Sequence, residues 1–375
     1  MKSEAPRTSL IDRTANRIIA RWEAGTHTVD YLIEQEFQRR KFSPAERAII
    51  TDQICTWARG RGAARFLLDR NLSRGLNSLP PALRRKLEIV ICQILFNPQK
   101  VDAVLASRAV EDIKKSLGIE LAKVANAVLR RTVADKIAER LWLDSENDTV
   151  ARLALSTSHP TWIVERWLRR WGDERTIQQL HWDNEPPRLY LRWNSLRNDL
   201  EDARRILETA SALYDELVDF EGFFRLRSSF YPHIAALVQE GYFTVQDPSA
   251  ALAVALLDPQ PQMKILDICA APGGKTTLIA QKMQNQGMIL AVDRSTDRLK
   301  RLLEATKRLG IQNVKPLVAD SRNLCNMLQH EMGSFDAVLC DAPCTGTGVL
   351  NRRADLRWRR KLEDLSELAA LKMVL

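Results

Sequence analysis

The sequence predicts a multidomain protein: an all-α front part, a small α+β segment, and an α/β domain on a parallel sheet. Three observations predict it. Apolar residues recur at three- and four-residue spacings through residues 8–140, Leu189, Leu191 and Trp193 alternate, and from residue 263 strand-like and helix-like segments follow one another with short links. A helical repeat, a period of two and a strand–helix alternation call for these three architectures in turn. At 375 residues the chain is long for one domain, and the expected divisions are 1–140, 150–240 and 241–375.

Composition excludes several classes. There is no run of about 18 apolar residues and residues 1–10 lack an apolar signal-peptide core, so no membrane association and a cytoplasmic location are expected. Six cysteines, Cys55, Cys92, Cys269, Cys325, Cys340 and Cys344, are too few and too irregular for a disulfide framework. Cys340 and Cys344 have no second Cys or His pair beside them, so no metal is expected. The net charge of +9 is concentrated at the front, where residues 1–140 hold 26 Lys and Arg against 16 Asp and Glu. A polyanionic partner fits that segment, although Arg-rich solvated helix faces give the same count.

In the front part Leu10, Ile11, Ala15, Ile18, Ile19 and Trp22 define one helical face, and Leu121, Val124, Ala125, Val128 and Leu129 another. Ser43-Pro44-Ala45-Glu46 is a helix start, with serine at the cap and an acid three residues on. Pro80-Pro81 and Asn97-Pro98 interrupt the run. Arg59, Arg61, Arg65, Arg70 and Arg74 are opposed only by Asp69, which suits phosphate contacts or a solvated surface.

Residues 132–150 are a polar connection whose end, Asp144 to Asp148, resembles a helix start. His159-Pro160-Thr161-Trp162 opens an apolar-faced helix, and His159 reads as a structural cap residue rather than a general base. The alternation at 189–193 is a half-buried strand. Beyond Gly241 a helix is expected at 249–257, then alternating segments at 263–268, 276–283, 288–292, 296–309, 314–319 and 335–340.

The chemistry centres on residues 265–277, Ile-Leu-Asp-Ile-Cys-Ala-Ala-Pro-Gly-Gly-Lys-Thr-Thr. This is a strand, a tight turn and a helix start, the arrangement that presents backbone amides to a ligand. A P-loop would need glycine where Cys269 stands, and the dinucleotide fingerprint needs more than Gly273 and Gly274. Acids end the following strands: Asp293, suited to ribose hydroxyls, Asp320, suited to an adenine amine, and Asp341, which opens Asp-Ala-Pro-Cys-Thr-Gly-Thr-Gly.

These strings resemble the Nop/Sun family of RNA cytosine-C5 methyltransferases. Cys269, Ala270, Ala271, Pro272, Gly273, Gly274 and Lys275 are similar to its S-adenosylmethionine loop, and Asp341-Ala342-Pro343-Cys344 to its motif IV. The resemblance makes Asp293, Asp320 and Asp341 further donor contacts. The front part resembles a NusB-like RNA-binding domain through Arg13-Thr14-Ala15-Asn16-Arg17, Glu46-Arg47, Arg65-Phe66-Leu67-Leu68-Asp69 and Ala125-Asn126-Ala127-Val128-Leu129-Arg130. This narrows it to the bacterial enzymes that methylate 16S rRNA. Around His159 and Arg192-Trp193-Asn194 the strings resemble a small α+β subdomain that lines the RNA-binding side. The implied fold is NusB-like, then α+β, then a Rossmann-like methyltransferase domain. The implied cofactor is S-adenosylmethionine, and the implied partner is 16S rRNA or an early small-subunit particle; a monomer is expected.

The implied chemistry begins with a thiolate adding to C6 of cytosine, which activates C5 toward the sulfonium methyl. Asp341 then matches the acid that contacts N3 and the exocyclic amine, and Cys344 the cysteine that helps release product. The nucleophile belongs to a later Thr-Cys motif, and this sequence contains no Thr-Cys. The expectation is a C-terminally truncated methyltransferase, with the fourth strand's edge uncovered and activity incomplete. Two alternatives stay open: Cys344 itself attacks, as in DNA cytosine methyltransferases, or the chain is a non-catalytic RNA-binding module. Asn351-Arg352-Arg353-Ala354-Asp355 replaces the family's Arg-Arg-His-Pro-Asp, and the basic run Arg352, Arg353, Arg357, Arg359, Arg360 and Lys361 around Trp358 is a second candidate phosphate contact.

Overall fold

The computed structural model describes residues 8–25, 27–96, 102–137, 148–227, 232–329 and 333–375. They form two compact units, Met1–Pro186 with Thr345–Asp364, and Pro187–Cys344 with Leu365–Leu375. This differs from the expected three-part division, because Ala354 and Trp358 pack in the core of the front helices and Leu350 and Leu356 pack with Ile163, Val164 and Trp167. Asn97-Pro98 and the proposed helix start at 144–147 lie outside the described residues.

The first unit opens with six helices: α1 (Thr8–Ala24), α2 (Val29–Arg39), α3 (Pro44–Asn71), α4 (Pro81–Phe96), α5 (Asp102–Leu117) and α6 (Ile119–Ile137). A capping box starts α3: Ser43 Oγ accepts from Glu46 N at 3.2 Å and Glu46 Oε2 accepts from Ser43 N at 2.9 Å. Two orphan amides are satisfied together, which is why the helix starts there. Along α3 the residues Ile50, Ile54, Trp57, Ala64, Leu67 and Leu68 are buried, and they pack with Leu83, Leu87 and Ile91 of α4. The polar connection expected from residue 132 is still helix up to Ile137; Thr132 Oγ1 donates back to Val128 O.

Most of the front arginine cluster is internal. Arg59 is buried, Arg61 lies over the rings of Trp22 and Trp57, and Arg65 pairs with Glu23 and with fully buried Glu88, which also accepts from Trp57 Nε1. Burial lowers Arg61 to about 10. Only Arg70 and Arg74 of the five are exposed.

The basic run after residue 350 is corrected in part: Arg352, Arg353 and Lys361 are exposed, but its middle is internal. Arg357 is fully buried, donating to Ser158 O at 3.1 Å, Asn184 Oδ1 at 2.9 Å and Asp183 O at 3.1 Å. Trp358 Nε1 donates to Ala58 O, and Arg359 donates to the carbonyls of Trp22, Gly25 and His27. Asp355 accepts from Trp22 Nε1 and Val29 N. These side chains cap carbonyls and amides of the front helices, so their charge signals anchoring rather than phosphate binding. His159 is buried in the same unit with Nδ1 2.8 Å from Thr157 O, and burial holds its pKa well down.

The second unit holds two sheets. The smaller is antiparallel, order β2-β3-β1-β4, built from β1 (Leu189–Trp193), β2 (Tyr214–Glu216), β3 (Phe223–Leu226) and β4 (Phe243–Val245). The larger is parallel, order β7-β6-β5-β8, with β5 (Lys264–Ile268), β6 (Met288–Asp293), β7 (Val314–Val318) and β8 (Ala337–Cys340). Helices Ser249–Leu257, Gly274–Lys282 and Thr296–Leu309 pack on the Ile265, Ile289 and Leu339 face, while Leu324 packs on the Leu266, Ile268 and Val292 face. At the edge, Val338 is 53% exposed.

Truncation of Arg357 removes the donor to two buried backbone carbonyls and to part-buried Asn184 Oδ1. Arg357→Ala is expected to lower stability by about 3 kcal/mol in urea denaturation. At exposed Arg74, Arg74→Ala should change it by less than about 0.5 kcal/mol.

Candidate active site

Parallel register sets the site. Ile268 pairs with Val292 on one side and Cys340 on the other, so the turns after β5, β6 and β8 leave from one edge of the sheet. That carboxyl edge is where open parallel sheets bind ligands. After Ile268 the chain reverses through Cys269, whose φ of 63° lies in the left-handed region. A Cβ is disfavoured there, so the position that a P-loop gives to glycine is strained here. Ala270 and Ala271 are buried, the Ala271–Pro272 peptide is cis, and Gly273 caps the helix Gly274–Lys282 with φ 101°. A Cβ on Gly273 would stand 2.9 Å from Leu302 Cγ, so both the backbone angle and the packing call for glycine.

Lys275 Nζ lies 2.5 Å from Asp341 Oδ2, and Asp341 N donates to Ile268 O. The glycine turn and the Asp-Ala-Pro-Cys turn are thereby joined, and Asp341 remains about half exposed. Cys344 and Cys340 are exposed, while burial raises the pKa of half-buried Cys269.

The other predicted acids are at the expected strand ends with different exposure. Asp293 is buried; its Oδ2 accepts from Ala271 N at 3.3 Å and pairs with Arg298 at 3.0 Å, and its Oδ1 accepts from Ser295 N. Its carboxylate braces the glycine turn, with Arg298 also donating to Ala271 O. Asp320 is partly exposed and held by Arg322, whose hydrogen bonds lower its pKa to about 2. Glycine amides, small apolar Ala270 and Ala271, and several carboxylates suit a ligand with an adenosyl part and a cationic amino-acid part. Among the described residues no group of three or more metal-ligating side chains is gathered, and no helix is long and apolar enough to cross a membrane.

Two features were missed in the sequence. Asp267, the lone acid within the apolar run of β5, is 1% exposed, and its Oδ2 accepts from Thr276 Oγ1 at 2.6 Å. Burial raises its pKa to about 7, opposed by the Thr276 hydrogen bond. An acid flanked by Leu266 and Ile268 was a readable signal. Arg192 and Asn194, in the subdomain that the resemblance places on the RNA-binding side, are both buried: Asn194 holds Gln281 Nε2, and Arg192 reaches Gly274 O and Thr277 Oγ1.

Three family descriptions match in order: the NusB family over residues 13–134, a ferredoxin-like domain of RsmF/B-like methyltransferases over 159–220, and 16S rRNA methyltransferase RsmB/F over 254–375. The probable ribosomal RNA small subunit methyltransferase B of Synechocystis sp. is 31% identical over 355 residues, covering 92% of this chain and 77% of that protein. The chain belongs to the 16S rRNA methyltransferase RsmB/F family. The Bacillus subtilis protein of the same description is 27% identical over 348 residues, covering 91% of this chain and 75% of its own. In fold, the crystal structure of PH0851 matches this RsmB/F family member with a TM-score of 0.76 at 24% identity, over 99% of this chain and 82% of that one.

In this RsmB/F family member Asp267 folds with a raised pKa, so its protonated form favours the native state. That contribution is complete below pH about 4 and is lost as pH rises through about 7. Asp267→Asn removes the ionisation, so its stability relative to the parent chain should climb from pH 4 to 7 and then level off, as read from urea midpoints. A difference flat across that range would show the carboxyl to be ordinary.

Proposed function

We propose that this chain binds S-adenosylmethionine at residues 269–275 with Asp293, Asp320 and Asp341, and serves methylation of C5 of a cytosine in 16S rRNA. The observation that carries the reading is the Lys275–Asp341 contact at 2.5 Å. It joins the turn that suits the donor to the acid that suits the base, and family membership supplies the reaction class.

The bound donor supplies an electrophilic methyl group. The protein's task is to make C5 nucleophilic and then to restore the ring. A thiolate forms a bond to C6 and pushes the C5–C6 electron pair onto C5. Asp341, at N3 and the exocyclic amine, stabilises the protonated ring that this creates. After transfer the C5 proton leaves to a base, the S–C6 bond breaks, and the thiolate is regenerated. Cys344 assists this second half, and the attacking thiol is that of a Thr-Cys motif, which residues 1–375 do not contain.

Substrate binding is assigned to the NusB-like helices of residues 1–140 and to the small subdomain of 150–240. The substrate is 16S rRNA or an early small-subunit particle in the cytoplasm. Arg70 and Arg74 are the arginines of the front cluster that remain exposed. Arg70→Ala and Arg74→Ala should each flatten the dependence of log affinity on log salt by about 0.7 to 0.9 for 16S RNA fragments; unchanged slopes would place the RNA elsewhere.

Calorimetry with S-adenosylhomocysteine should show binding to residues 1–375, weakened about tenfold or more in Asp341→Ala, the loss of one charge-assisted contact. With 16S RNA containing 5-fluorocytosine and the donor, no covalent adduct is expected on this chain. An adduct that disappears in Cys344→Ala would make Cys344 the nucleophile instead.

A further inference from the structure

Behind the glycine turn lies a buried cation with neutral partners. Arg192, on β1, is 2% exposed. Its Nη1 donates to Gln246 Oε1 and to Gly274 O at 3.1 Å, and its Nη2 donates to Thr277 Oγ1 at 3.0 Å. Nε is buried without a partner. Among the described residues it forms no ion pair. Its pKa is lowered to about 9, first by burial and then by Arg308.

This placement is unfavourable by itself. Gly274 and Thr277 belong to the first turn of the helix Gly274–Lys282, the positive end of the helix dipole, where a cation is repelled. A neutral donor side chain would serve the same three acceptors without the desolvation cost of a full charge. Gln246 adds to the pattern: its Oε1 is taken by Arg192, and its buried Nε2 has no partner and points at Gly274, 3.4 Å from where a Cβ would stand. The first-turn amides of Gly274, Lys275 and Thr276 have no intrahelical acceptor. The acids Asp293 and Asp341 sit on the strand-end side of the same turn, so the turn separates negative side chains from a buried positive one.

Resting on the donor site proposed above, we infer that Arg192 is a positioning residue of that site. Its uncompensated charge draws the carboxylate of the donor's amino-acid end to the start of the helix Gly274–Lys282. The acids on the other side suit the ammonium of the same amino-acid end. Arg192 therefore gives the turn a direction, and the small sheet that carries it becomes part of donor recognition.

The test compares two ligands by calorimetry: S-adenosylhomocysteine and its decarboxylated analogue, which lacks only the carboxylate. Arg192→Gln should weaken the first about tenfold or more and the second by less than about twofold, with Arg192→Lys restoring most of the loss. Gln246→Glu keeps the guanidinium hydrogen-bonded but neutralises it in place, and should cause the same selective loss with an unchanged or higher Tm. It decides the matter if Arg192→Gln does not fold. Equal losses for both ligands, or no loss with Gln246→Glu, would overturn the inference alone. Failure of the parent chain to bind S-adenosylhomocysteine would overturn the donor site itself, and this inference with it.

Discussion

Parallel pairing of β5 with β6 on one side and β8 on the other is the constraint on which the site depends. With Ile268 opposite both Val292 and Cys340, the three turns that follow leave the sheet at one level. A shift of one residue would turn Asp267 out of the covered face and separate Lys275 from Asp341. The register is held by Ile265, Ile289 and Leu339 under the helices and by Leu266, Ile268 and Val292 on the reverse. Packing on both faces is therefore what positions the polar edge.

The acids at that edge have unequal environments. Asp267 is buried with its pKa raised to about 7, Asp320 is partly exposed with its pKa lowered to about 2 by Arg322, and Asp341 sits half exposed on Lys275. Buried Asp293 is drawn back to the backbone of Ala271. Residue type alone would treat these carboxylates as equivalent. Their surroundings divide them into Asp267 beneath the turn, Asp293 bracing it from the side, and Asp320 and Asp341 toward solvent.

Much of this was legible in the sequence, for physical reasons. Strand and helix positions in the second unit follow from local periodicity and turn residues: the helices Ser249–Leu257 and Thr296–Leu309 end where their pattern ends. The capping box at Ser43 is a four-residue signal and was readable as such. Charge was the misleading signal. Arg61, Arg65, Arg357 and Arg359 look like a nucleic-acid surface in a linear count, yet their partners are aromatic rings, Glu23, Glu88 and backbone carbonyls far away in sequence. Arg192 was hidden for the same reason, since its acceptors at 246, 274 and 277 are brought to it only by tertiary structure. Short β2 and β4 carried too few residues to show a period.

The first unit is discontinuous: residues 345–364 complete a core begun at residue 8. On the ribosome, Ala354 and Trp358 of that core emerge only after all of β5 to β8 has been made. The front helices must therefore wait, with the sites for Trp358 and Arg359 still open, while the larger sheet is synthesised. Completion of the helical unit is thus a late event in the life of the nascent chain, although its helices leave the exit tunnel before the larger sheet does.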